Sequence, residues 1–144
     1  MHSIVYGVAI YKSDIISKTV GSTVSTFYNF INYIGSETNH AKVFHELFKL
    51  DLEYRISIID ELVKDSCNID NILIHKAILG LNEIMKNINK ELQQIDEMIR
   101  NHNKKYFNSW RDFNCDELIH SVKHHSDILN NRYKMLIDLL ALYK

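Results

Sequence analysis

From Ile74 to Tyr106 the apolar positions step by four and three without a slip: Ile74, Ile78, Leu81, Met85, Ile88, Leu92, Ile95 and Ile99, closed by His102 and Tyr106. A seam of that period predicts one long helix that packs lengthwise against other helices. Nothing in the chain breaks such a helix. There is no proline, and the 144 residues hold only four glycines, so long helices joined by short turns are expected throughout.

The flanking segments carry the same period. Ile16, Val20, Val24, Phe27, Ile31 and Ile34 predict a helix over about 13–34. Ile4 to Tyr11 either extends it or forms a short strand, which leaves the first segment open to irregularity. Ser13, Ser17, Gly21 and Ser25 recur every fourth residue, a stripe that either admits a close neighbour or faces water, and the solvated face is the favoured reading. Gly35-Ser36 reads as a helix–helix turn. A second helix is expected over about 37–65, with Phe44, Leu47, Phe48, Asp51, Tyr54, Ile58 and Leu62 as its main stripe. Leu52, Ile56, Ile59 and Val63 broaden that stripe, which implies contact with two neighbours.

Ser66-Cys67-Asn68 marks the next turn, with Asn68 or Asp70 as the cap of a third helix over about 69–107. After a connection at about 108–113, Asn114-Cys115-Asp116-Glu117 reads as a capping box that opens a fourth helix over about 114–143. Its stripe is Ile119, Val122, Ser126, Leu129, Tyr133, Leu136, Leu140 and Tyr143. The expectation is one all-α domain over 1–144, an antiparallel up-down-up-down bundle of four long helices with heptad-like packing.

Composition narrows the function classes. A net charge of -1 gives no global attraction to nucleic acid or to an anionic membrane, so no nucleic-acid partner is expected. Two cysteines are too few for a secreted disulfide framework. No signal peptide or apolar run of spanning length is seen, so a cytoplasmic protein is expected. Ile, Asn and Lys number 20, 14 and 13, the usage of an AT-rich genome such as those of some protists, bacteria and large DNA viruses.

The up-down topology would collect three sets of side chains at one end. Tyr106, Phe107, Trp110, Arg111 and Phe113 form an aromatic and basic cluster, read either as a plug or as a candidate interaction site. His45, His102 and His120 would share a level, a set with the chemistry to hold zinc. The preferred reading has His102 closing the seam and the others on the surface, with no cofactor. Glu37-Thr38-Asn39-His40 and Glu117-Leu118-Ile119-His120 repeat the Glu-x-x-His spacing and in that respect resemble di-iron carboxylate bundles, although the first helix supplies no glutamate.

No phosphate loop, nucleophile elbow, H-E-x-x-H or C-x-x-C is present, so an enzyme is not expected. The leading expectation is a non-enzymatic interaction or scaffold protein that self-associates or binds a helical partner. Its support is excess apolar surface on the wide second helix, the long third helix and the terminus from Met135 to Tyr143. The alternative is a bundle that acts on membranes by inserting residues 1–34, which is similar in architecture to the executioner bundles of cell death.

Overall fold

The computed structural model describes residues 2–37, 41–104 and 114–143. They form five helices and no strand: α1 (His2–Ser36), α2 (Ala41–Phe48), α3 (Leu52–Ser66), α4 (Ile72–Lys104) and α5 (Asp116–Tyr143). Buried side chains from all five contribute to one hydrophobic cluster.

The seam holds from Ile74 to Ile99, while His102 is half-buried and Tyr106 lies outside the described residues. Ile74, Ile78, Leu81, Met85, Ile88, Leu92, Ile95 and Ile99 are all buried, and α4 packs against both α1 and α5. The second stripe holds equally well, with Ile16, Val20, Val24, Phe27, Ile31 and Ile34 buried on α1. The first helix begins earlier than expected. Residues 4–11 are helical, so the strand alternative is removed. The Ser13/Ser17/Gly21/Ser25 stripe flanks the core, and a Cβ added at Gly21 would meet nothing within 4 Å, so it serves no close approach.

Gly35 is used differently from a turn residue. It stays helical, α1 runs on to Ser36, and a Cβ at Gly35 would come within 2.9 Å of the Phe44 ring. The missing side chain lets α2 fold back closely on the end of α1.

The largest departure is in the expected helix over 37–65. It is two helices, broken at Lys49–Asp51, so the described residues form five helices instead of four. The end of α2 tightens as Leu50 N–H donates to Leu47 O (3.1 Å) and Asp51 N–H to Phe48 O (3.0 Å). Asp51 then takes a left-handed conformation, φ 56 and ψ 33, which aspartate tolerates better than most residues. The turn changes which side of the segment faces inward. α3 buries Leu52, Ile56, Ile59 and Val63, the set read from sequence as a mere broadening. Tyr54 and Ile58, read as its main stripe, are 64% and 39% exposed.

The helix starts also shift. Asn71, not Asn68 or Asp70, caps α4: its Oδ1 accepts from the N–H groups of Leu73 (2.9 Å) and Ile74 (3.2 Å), and the helix begins at Ile72 instead of 69. α5 begins at Asp116 instead of 114, its N–H donating to Asn114 Oδ1 at 2.9 Å. The remainder of the expected third helix, 105–107, lies outside the described residues.

Polar contacts pin the helices in register. Between α1 and α4, Thr23 Oγ1 donates to Asn82 Oδ1 (2.7 Å) and Asn89 Nδ2 donates to the Thr23 carbonyl (3.0 Å). Ser13 Oγ donates to Cys67 O (2.8 Å) just before α4, and Asn103 donates to Glu37 Oε2 (3.0 Å) near its end, so α1 and α4 run the same way. α5 runs opposite to α4: Arg132 donates to Gly80 O (2.6 Å), while Ser121 donates to Glu91 Oε1 (2.8 Å). His125 Nδ1 also faces the Glu91 carboxylate, which is 8% exposed and lies between the two helices.

Candidate interaction surface

α3 and α5 both pack on other helices more closely than on each other. The space between them is a groove of about 340 Å³. Ile59 and Leu129, both buried, form its floor, and Tyr54, Ile58 and Tyr133 form its walls. Arg55 and Asn130 supply its polar atoms.

Arg55 holds the two sides in place. Its Nη2 donates to Ser126 Oγ on α5 (2.8 Å) and also reaches the carbonyl of Leu50 in the α2–α3 turn. One guanidinium therefore ties the broken helix to α5, using the forked donor geometry that a lysine lacks. On the other side of α3, Tyr28 of α1 approaches the Glu53 carbonyl (3.5 Å), and burial raises its phenol pKa above the ordinary tyrosine value.

Further apolar side chains are exposed on α5 and α4, of which Ile137 shares the groove side of α5. On the outer part of α5, Met135, Ile137, Leu142 and Tyr143 are 59%, 38%, 83% and 54% exposed. Ile72, Leu73 and Leu79 are exposed on the opening turns of α4, which lie beside the end of α5 because those helices run in opposite directions. Scattered exposed apolar side chains are ordinary, so the groove, with Ile137 on the same side of α5, carries the case for an interaction site. A second groove of about 500 Å³, between α1 and α4, is shallower and more polar than the first, with Thr26, Lys86, Asn87 and Lys90 among its lining.

Of the site residues expected from sequence, only the histidines are among the described residues. Tyr106, Phe107, Trp110, Arg111 and Phe113 lie outside the described residues. His45 on α2 and His120 on α5 are exposed, and His102 on α4 is half-buried. Among the described residues, no three His, Cys, Asp or Glu side chains stand together as a metal-binding group. The end of α4 is instead organised by Arg100, which bonds Asp96 (2.7 Å) and lies 3.7 Å over the Tyr33 ring. The Asp96 hydrogen bond raises the Arg100 pKa further above its ordinary value. Cys67 and Cys115 are free and buried, and burial pushes the Cys115 thiol up to about 11.

The groove residues were visible in the sequence as apolar positions. Their exposure was not, because 52–63 carries two apolar stripes and only one can face the core.

The chain has a viral relative. It is 35% identical over 81 residues to uncharacterized protein L717 of Acanthamoeba polyphaga mimivirus, which is 56% of this chain and 39% of that protein. The chain thus spans well under half of that relative's length. No family model and no solved structure matches it. A viral relative is consistent with the Ile-, Asn- and Lys-rich composition. Among the described residues, no helix is long and apolar enough to cross a membrane.

Proposed function

We propose that the protein is a non-enzymatic helical-bundle module that acts through protein–protein contacts and self-associates. Taking α2 and α3 as one leg, the helix directions support an up-down-up-down bundle whose second and fourth legs, α3 and α5, present an outward face. The observation that carries the reading is the apolar groove on that face, open to solvent and flanked by exposed Tyr54, Ile58 and Ile137. Large apolar side chains held on rigid helices favour burial against a partner by about 25 cal/mol per Å² covered.

The membrane reading is less favoured. The stripe that residues 1–34 would offer to lipid, from Ile16 to Ile34, is buried against the rest of the bundle. Releasing it would also break the Thr23–Asn82 and Asn89–Thr23 hydrogen bonds.

Sedimentation velocity on the full chain from ~1 to ~200 µM tests the proposal, since that range brackets micromolar association. A reversible, concentration-dependent rise above the monomer mass is expected. A strict monomer at the top of the range refutes self-association.

A further inference from the structure

We infer that the partner on the α3/α5 face is a second copy of this chain, related by a two-fold axis running parallel to those helices. This inference rests on the self-association reading above and specifies its geometry.

At one end the two rims of the groove carry opposite charge. On α3, Tyr54, Ile58, Glu61 and Asp65 step by four, three and four, so they share the outward side next to the groove. Glu61 is 75% exposed and Asp65 is exposed. Lys64 of the same helix pairs with Asp60 at 3.1 Å on the other flank and lies 3.6 Å from Glu61, so it offsets part of that charge, while Asp65 stands apart from it. On α5 the corresponding stripe is Lys123, Asp127, Asn130, Lys134 and Ile137, and both lysines are exposed. The α3 rim is therefore acidic at its Glu61–Asp65 end, and the α5 rim places Lys134 there, with Asp127 and Asp138 to either side.

The heights of these charges match. Arg55 bonds Ser126, a separation of 71 residues, and α3 and α5 run the same way beside the groove. By that offset Lys134 stands level with Val63, between Glu61 and Asp65. Asp127 stands level with Ile56, where the α3 stripe offers Tyr54 and Ile58 and no acid.

A two-fold axis parallel to the helices places α3 over α5 of the partner subunit and preserves every height. Lys134 then faces Glu61 and Asp65 of the partner subunit, twice per dimer, and the two apolar grooves close on each other. A two-fold axis across the helices would set α3 on α3 and α5 on α5 with heights reversed, taking Lys134 away from the acids and bringing it to the level of Lys123 of the partner subunit. The charge pattern thus selects the parallel axis by repulsion as well as attraction.

The size of the face sets the strength. Two helices ~10 Å wide and ~22 Å long give a footprint of ~450 Å² per copy, or ~900 Å² in all. That is near the lower bound of ~1,000 Å² for a stable interface, so the dimer should be reversible in the micromolar range.

The test is sedimentation equilibrium on the full chain and its variants, with circular dichroism confirming the helical fold of each. The wild type is expected to reach a dimer and no larger species. Glu61→Lys with Asp65→Lys, and separately Lys134→Glu, should each weaken dimerisation at least tenfold. Combining the three substitutions should restore it, because the charges are exchanged and the pairing is kept. Tyr54→Ser, at a 64% exposed position on the same face, is an independent probe and should also weaken it. A dimer indifferent to these changes, or a charge-exchanged triple variant no tighter than Lys134→Glu, overturns this interface while leaving self-association standing. Growth beyond a dimer overturns the closed two-fold. A wild-type monomer overturns both readings.

Discussion

Replacing Arg55 with methionine keeps the apolar stem of the side chain and removes only the guanidinium. In the native protein that group donates to Ser126 Oγ at 2.8 Å and to the Leu50 carbonyl, so its loss leaves two acceptors short of a donor. Ser126 is 1% exposed, and water cannot readily take the place of the arginine there. Hydrogen bonds to a charged donor contribute about 1.5–3 kcal/mol each, but Arg55 is half-buried and its own rehydration offsets part of the loss. About 3 kcal/mol of destabilisation is the working figure. With an unfolding entropy near 2.1 cal/mol/K per residue, that corresponds to a fall of about 10 °C in Tm for a chain of this size. Urea titration should show a lower midpoint at unchanged slope, as expected when stability changes but the surface exposed on unfolding does not. A double-mutant cycle with Ser126→Ala should give a coupling of about 1 kcal/mol. A loss below about 0.5 kcal/mol, or strict additivity with Ser126→Ala, would show that Arg55 does not clamp α5 to the α2–α3 turn.

Two further outcomes test the local readings. Asn71→Ala should cost about 1 kcal/mol by removing the acceptor for two N–H groups at the start of α4, whereas Asn68→Ala should cost little; equal effects in urea titration would relocate the cap. Cys115 has a native thiol pKa of about 11, raised by burial, so its neutral form is favoured by folding. Its contribution is complete below the unfolded value of about 8.5 and is lost as pH rises toward 11, a decline of at most about 3 kcal/mol that solvent screening reduces. That decline should flatten in Cys115→Ala, and native Cys115 should resist iodoacetamide at pH 8; rapid alkylation without unfolding would contradict its burial.

Much of the architecture was legible because helix periodicity is local. The α4 seam and the α1 stripe each contain one apolar face, and one face leaves one way to pack. The expected N-cap at Asn68 or Asp70 failed for a different reason. Three residues between Asn68 and Asn71 have suitable side chains, and only the hydrogen bonds of the folded turn distinguish them. The candidate site was legible only in part: Tyr54 and Ile58 stood out on an apolar stripe but were assigned to the core.

What the sequence determined by itself is an all-α chain built on a central buried helix, since a single period of 3.6 sustained over that length has no other stable form. What only the tertiary structure decided is the segment from 41 to 66. Asp51 interrupts it, and α3 then buries Leu52, Ile56, Ile59 and Val63 while turning Tyr54 and Ile58 outward. A helix apolar on two sides carries no internal instruction about which side is buried. The choice is made by the neighbours it meets, here α1 on one flank and the Arg55 tether to α5 on the other.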